Sequence, residues 1–159
     1  MDGVRETPAQ HVKIREIVES DRAGWVRLRE ALWLGSLSDH EAETRKHFEN
    51  PTGVPIIFVA EADGRIVGFL ELDYRKYAPG CSSSPVPFIE GWYVEPGLQR
   101  RGIGRALIEA AEACARAAGH HEIASDAEIE NAGGIAGHVA LGYEEVERVV
   151  CFRRSLGNT

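Results

Sequence analysis

Cysteine is scarce. The 159-residue chain has three, Cys81, Cys114 and Cys151, an odd number without a Cys-x-x-Cys pair. Neither a disulfide framework nor a zinc site is indicated, and no metal is expected. No window approaches the roughly 20 apolar residues that a membrane helix needs. Met1 to Gln10 is polar and lacks the apolar run of a secretion signal. Positive charge is also in deficit: 18 Lys and Arg stand against 25 Asp and Glu, a formal net charge of −7. An acidic surface disfavours nucleic acid and suits a cationic partner. Repeats and low-complexity tracts are absent. These absences leave a cytoplasmic, reduced protein with no membrane or nucleic-acid role.

What is present suffices for one core. Hydrophobic residues make up 43% of the chain, and the 27% that are charged carry both signs, so a single folded domain is expected. We place it at 12–156, with 1–11 as a loose extension.

The patterning predicts the order β-α-α-β-β-β-α-β-α-β. A strand over Val12–Val18 is followed by a helix from Asp21 to Trp33, with Ser20 as its N-cap and Trp25, Leu28 and Leu32 on one face. Ser38 and Glu41 form a capping box for a second helix reaching about Phe48. Ile56–Glu61 and Arg65–Tyr74 flank Asp63-Gly64, a pair suited to a tight primed turn; Ile66, Leu70 and Leu72 alternate in the second of these strands. Residues 75–87 form a long loop of the kind that often carries function. Phe88–Val94 is a strand. Arg101–Ala118 is an amphipathic helix, with Ile103, Leu107, Ala110, Ala111, Cys114 and Ala118 on one face and Gly119 at its end. Ile123–Ser125 is a short strand, and 132–141 is a helix weakened by three glycines. Glu144–Arg153 is a final apolar strand. Three directly joined strands followed by alternation with helices imply a mixed sheet covered by helices, an α/β architecture.

The chemistry concentrates in Val94-Glu95-Pro96-Gly97-Leu98-Gln99-Arg100-Arg101-Gly102-Ile103-Gly104-Arg105. A strand ends and a helix opens on glycine and arginine. Free N–H groups at a helix start form an anion site, and Gly102 and Gly104 admit a phosphate close to the backbone. The Gly-Lys-Ser/Thr ending of a P-loop is missing. Glu90 stands inside an apolar strand beside Phe88 and Trp92, a costly place for a carboxylate unless it is paired or used. Cys81, Cys114 and Cys151 read as packing residues, because no base and orienter accompany them. His11, His40, His47, His120 and His121 read as surface residues.

Gln99-Arg100-Arg101-Gly102-Ile103-Gly104 resembles the Q/R-x-x-G-x-G/A pyrophosphate loop of the GCN5-related N-acetyltransferases (GNAT), which bind acetyl-CoA. The strand order is similar too. The resemblance implies a GNAT fold: a central mixed, mostly antiparallel sheet with a splayed strand pair, flanked by helices. It implies acetyl-CoA as co-substrate, held by Gln99, Arg100, Arg101, Gly102, Ile103, Gly104 and Arg105. It also implies that Trp92, Tyr93 and Val94 pair with the pantetheine arm and that Asn131 contacts it.

Further segments resemble the aminoglycoside 6'-N-acetyltransferase branch: 28–33, 77–86, 88–94, 124–131 and 140–149. The likeness implies acetyl transfer to the 6'-amine of aminoglycoside antibiotics, giving resistance, and a homodimer. By position, Trp33, Tyr77, Glu90, Asp126 and Glu147 would line the antibiotic site. Glu90 or Asp126 would accept the amine proton, and His138 would stand where many relatives protonate the departing thiolate. The branch often has a histidine three residues after its tryptophan; here that residue is Ser36. A packing role for His138, a capping role for Asp126, acceptors other than aminoglycosides such as a polyamine or a protein N-terminus, and a non-catalytic acetyl-CoA-binding module remain open on the sequence.

Overall fold

A computed structural model of the protein describes residues 11–158; most of the expected N-terminal extension, residues 1–10, lies outside them. Five strands form one sheet in the order β1-β2-β3-β4-β5: β1 (Val12–Glu16), β2 (Ile56–Ala62), β3 (Arg65–Arg75), β4 (Val86–Val94) and β5 (Ala124–Ser125). Pairing is antiparallel from β1 to β4 and parallel between β4 and β5. The hairpin turn has Asp63 at φ 52° and Gly64 at φ 75°, the left-handed pair that lets two twisted strands join in two residues.

Four helices accompany the sheet: α1 (Arg22–Leu32), α2 (Leu37–Glu49), α3 (Ile103–Ala117) and α4 (Ala132–Ala140). On one face Val67, Leu70, Leu72 and Ile89 pack with Leu107, Ile108 and Ala111 of α3. On the other, Ile57, Val59, Ile66 and Phe69 pack with Trp25 and Leu28 of α1. Residues 66–72 are therefore buried without a break. The simple alternation expected for β3 is overridden because neither face meets water.

The caps differ from the sequence reading. Ser20 does not cap α1: the chain enters through a 3-10 turn at Glu19–Asp21, and Asp21 accepts the Val18 N–H at 2.9 Å while paired with Arg15. For α2 the N-cap is Ser36, whose Oγ accepts the Asp39 N–H at 3.2 Å, rather than Ser38. In α3 the buried face runs through Ile103, Leu107, Ile108, Ala111 and Ala115, and Ala118 is exposed beyond the helix end.

The largest difference is at the C-terminus. Residues 143–158 form no strand. Val149, Val150, Phe152 and Leu156 are exposed, although the apolar pattern there predicted a strand. A strand needs an edge to pair with, and this segment meets none within the described chain.

Candidate active site

The site begins with one extra residue in β4. Glu71 pairs with Gly91 and Leu72 with Ile89, so Glu90 has no partner on β3 and forms a bulge. A bulge bends its strand and re-aims side chains. On its other side β4 is paired only at Phe88 and Ile89, with Ala124 and Ser125 of β5. Beyond Ile89 the two strands part. Glu90, Gly91, Trp92, Tyr93 and Val94 border the opening, and Ser125 stands at its apex.

The cationic loop lies at the far end of β4. Gly102 is the N-cap of α3 at φ 80°, with no side chain capping the helix, and Arg100 also has positive φ at 62°. Left-handed residues on either side of Arg101 turn successive backbone N–H groups toward one side, a concave anion site at a helix start. A Cβ on Gly102 would meet nothing within 4 Å, so here glycine serves the left-handed backbone. Gly104 differs: a Cβ there would stand 3.1 Å from the Trp92 ring. Trp92 donates its indole N–H to the Gly104 carbonyl at 3.1 Å. Gln99 donates to the Val94 carbonyl at 3.1 Å and fastens the loop to the strand end. Among the described residues Arg100, Arg101 and Arg105 enter no ion pair.

At the apex, α4 adds a second group. Asn131 Oδ1 accepts the Gly134 N–H at 2.9 Å, so the carboxamide that the resemblance assigned to pantetheine also caps α4. His138 Nδ1 lies 2.6 Å from the Gly134 carbonyl and Nε2 lies 2.8 Å from Ser125 Oγ. A carbonyl only accepts, so Nδ1 carries the proton and Nε2 accepts from the Ser125 hydroxyl. The imidazole meets Trp92 edge-on, with 5.1 Å between ring centroids. Tyr143 is directed elsewhere: its hydroxyl donates to Glu112 at 3.2 Å, and burial, then the Glu112 charge, pushes its pKa up.

The carboxylates form a cluster around a cation that the sequence reading did not select. Arg75 ends β3 and donates to both Glu90 oxygens, at 2.8 and 2.7 Å. Its Nη2 also approaches Asp126 Oδ2 at 4.0 Å. Glu90 and Asp126 thus share one neighbourhood. Glu147 stands apart, exposed on the C-terminal segment. Tyr77 is 71% exposed, on a loop anchored at its far end: Glu122 accepts from the Ser83 hydroxyl and the Ser82 and Ser83 N–H groups, which hold its pKa down to about 2.

Trp33 lies against β4, where a Cβ on Gly91 would come within 2.6 Å of its ring. The Arg29 guanidinium stacks 4.7 Å from the centre of that ring. Behind it lies a buried network that the sequence did not disclose. Arg29 pairs with Glu71 and Glu43, and Glu71 accepts the Trp25 indole N–H at 3.0 Å. Burial pushes the Glu71 pKa up against the opposing pull of Arg29. His40 belongs to this network and is 6% exposed, not a surface residue. Its Nδ1 accepts from Arg29 Nε at 3.4 Å, and Nε2 has no partner. The signal available for Arg75 was Glu90 itself, an acid in an apolar strand that required a cation. Nothing local marked Ser125, Glu71 or His40.

Among the described residues no helix is long and apolar enough to cross a membrane, and no group of three or more His, Cys, Asp or Glu could hold a metal ion.

Residues 21–143 match the model of the acetyltransferase (GNAT) family. A relative named aminoglycoside N(6')-acetyltransferase type 1, from Stenotrophomonas maltophilia, is 43% identical over 144 residues, spanning 90% of this chain and 93% of the relative. An aminoglycoside N-acetyltransferase, AAC(6')-Iy, solved in complex with CoA, superposes with a TM-score of 0.84 at 36% identity, covering 94% of this chain and 99% of that one. The same enzyme bound to a bisubstrate analogue, CoA-S-monomethyl-acetylneamine, gives a TM-score of 0.82 at 36% identity over 91% and 99% of the two chains.

Proposed function

This chain belongs to the acetyltransferase (GNAT) family, and from that premise we propose that it transfers the acetyl group of acetyl-CoA to the 6'-amine of aminoglycoside antibiotics, in the cytoplasm, and so gives resistance to them. The observation that carries the reading is the division of charge along β4. Arginines and open N–H groups gather just past its C-terminal end, while Glu90 at the mid-strand bulge and Asp126 nearby carry the negative charge. One cleft then suits an anionic acyl carrier on one side and a polycationic acceptor on the other. Relatives named for this reaction, and the neighbour bound to an acetylneamine–CoA adduct, support the same pairing.

In this reading the loop from Gln99 to Arg105 holds the pyrophosphate. The unpaired side of β4 from Trp92 to Val94 hydrogen-bonds the pantetheine arm alongside Asn131. A backbone N–H near Val94 polarises the thioester carbonyl. Trp33 and Tyr77 frame the sugar rings, and Glu90, Asp126 and Glu147 receive ammonium groups. The 6'-nitrogen attacks the acetyl carbon, a C–N bond forms, and the C–S bond breaks. One proton must leave nitrogen and one must reach sulfur. Ser125 and His138 provide a route for both: nitrogen passes its proton through Ser125 Oγ to His138 Nε2, and the imidazolium returns it through the same hydroxyl to the thiolate. Glu90 and Asp126, both beside Arg75, then serve binding first.

The assembly in this reading is a homodimer. The apolar segment 144–153 lies outside the sheet, and the sheet ends at a two-residue β5; a second copy supplies the missing edge. Glu147 lies on that segment, so its place in a pocket depends on the assembly.

The test is thiol release from acetyl-CoA with kanamycin- and gentamicin-type substrates, a polyamine and a peptide N-terminus. Release confined to aminoglycosides bearing a 6'-amine, with the acetyl group located there by NMR, is the expected result. Turnover only on another amine overturns the acceptor assignment. Acetyl-CoA binding with no release on any amine overturns the enzymatic one.

A further inference from the structure

The acceptor site sets two demands against each other. Carboxylates attract a polyammonium antibiotic, but they also stabilise the charged form of the amine that must attack as a free base. The structure holds a cation among these carboxylates. Arg75 forks onto Glu90 through Nε and Nη2, and Nη2 also lies 4.0 Å from Asp126. Its guanidinium sits 3.6 Å above the centre of the Phe88 ring, so an aromatic face fixes the plane of the fork. Three elements converge here: the end of β3 gives Arg75, the β4 bulge gives Glu90, and the residue after β5 gives Asp126.

We propose that Arg75 is the charge-balancing residue of the acceptor site: it offsets Glu90 and Asp126 so that the bound 6'-ammonium can release a proton to solvent and attack as the free amine. The inference rests on the reading above, in which these two carboxylates face the acceptor amine. The charged groups around Arg75 are Glu90 from β4, Asp126 from the chain after β5, and Asp73 from β3 itself; the Phe88 ring is uncharged. One cation thus stands against three carboxylates, and removing it leaves them unopposed. Hydrogen bonding to Glu90, outweighing burial, raises the Arg75 pKa, so the side chain stays charged across any working pH. An ammonium bound by either carboxylate lies close to the guanidinium, within the range where a like charge moves a pKa by about one unit or more. Partial exposure of the cluster, with Arg75 at 42% and Asp126 at 69%, sets the expectation at the lower end.

The experiment measures single-turnover rates against pH with saturating acetyl-CoA and kanamycin, for wild type, Arg75→Gln, Arg75→Lys and Asp126→Asn. Under saturation the acidic limb reports the ternary complex, whereas kcat/KM reports the free reactants. The limb should rise by about one pH unit in Arg75→Gln, stay near wild type in Arg75→Lys, and fall in Asp126→Asn. The acidic limb of kcat/KM should not move. The limb is assigned to the amine if a kanamycin analogue with a less basic 6'-amine lowers it in wild type. An unmoved limb in Arg75→Gln with an intact acetyl-CoA KM overturns the proposal. So do equal shifts in Arg75→Gln and Arg75→Lys, or a limb that ignores amine basicity. If Arg75→Gln does not fold, Asp126→Asn decides, and an unmoved or raised limb overturns it. A wild-type enzyme inert toward all 6'-amino aminoglycosides refutes the functional reading, and this inference with it. A wild type that turns over with a limb unmoved by the substitutions refutes the inference alone.

Discussion

Replacing Arg29 with methionine probes the support beneath Trp33. Arg29 and Glu71 are both buried, at 7% and 5% exposure. Methionine keeps much of the stem volume and the packing against the two tryptophans, but it removes the cation. Glu71 would then face a low-dielectric interior with the Trp25 indole N–H at 3.0 Å as its remaining donor. Breaking a buried pair by removing one partner costs about 3–5 kcal/mol. With a urea dependence of about 2 kcal/mol per molar, the unfolding midpoint should fall by roughly 2 M. The loss should also depend on pH. Burial already raises the Glu71 pKa above its ordinary 4.5, and without Arg29 it rises further. A carboxyl raised in the folded state contributes stability that is full below the unfolded value and lost as pH rises through the folded value. Arg29→Met should therefore be more stable at pH 5 than at pH 8. Adding Glu71→Gln should remove that pH dependence and recover at least about 1 kcal/mol, since neighbours that share a charge network are non-additive. Urea titrations followed by near-UV circular dichroism at the two pH values measure all of this. A loss under about 1 kcal/mol, or a pH-independent loss while Glu71 is present, would refute the account of a buried charge held by Arg29.

Gly104→Val should raise the acetyl-CoA KM tenfold or more with little effect on aminoglycoside KM, because a Cβ alone would stand 3.1 Å from Trp92 and the larger side chain pushes that ring away from the loop, breaking its hydrogen bond to the residue 104 carbonyl; initial-rate kinetics decide it. Gly91→Ala should do the reverse: the new methyl falls 2.6 Å from the Trp33 ring, displacing it at a cost of about 1–3 kcal/mol and raising the aminoglycoside KM while acetyl-CoA KM holds. Light scattering of the full chain should give a dimer mass, and a chain ending at Tyr143 should give a monomer; equal masses would remove the C-terminal segment from the assembly. The aminoglycoside KM should climb with added salt, as screening weakens a carboxylate site, and a salt-independent KM would argue against charge as the source of acceptor affinity.

Local signals carried much of this protein. Hydrophobic period, turn chemistry and the glycine–arginine run depend on residues close in the chain. They located all four helices, the hairpin at Asp63-Gly64 and the anion loop before α3 to within two or three residues. The likeness of that loop to the GNAT pattern then indicated the family, and the match over residues 21–143 agrees. Errors of detail arose where two local options were nearly equal, as with Ser36 against Ser38 at the start of α2.

The tertiary structure decided everything that depends on register or on a distant partner. A bulge is one residue's difference between two strands, and Glu90 is identified as the extra residue only once β3 and β4 are aligned. Arg75 and Glu90 are fifteen residues apart in sequence yet form a two-point ion pair, because a strand end and a bulge meet across the sheet. Ser125 at the end of β5 joins His138 of α4 through a side-chain hydrogen bond across thirteen residues of sequence. His40 looked like a surface residue in a polar helix and is buried against the Trp33 ring, because Arg29 holds Glu43 and His40 on the polar face of α2. Residues 144–153 show the converse. Their pattern has the apolar content of a strand, but a strand exists only where its backbone pairs with an edge, and among the described residues this segment pairs with neither outer strand of the sheet.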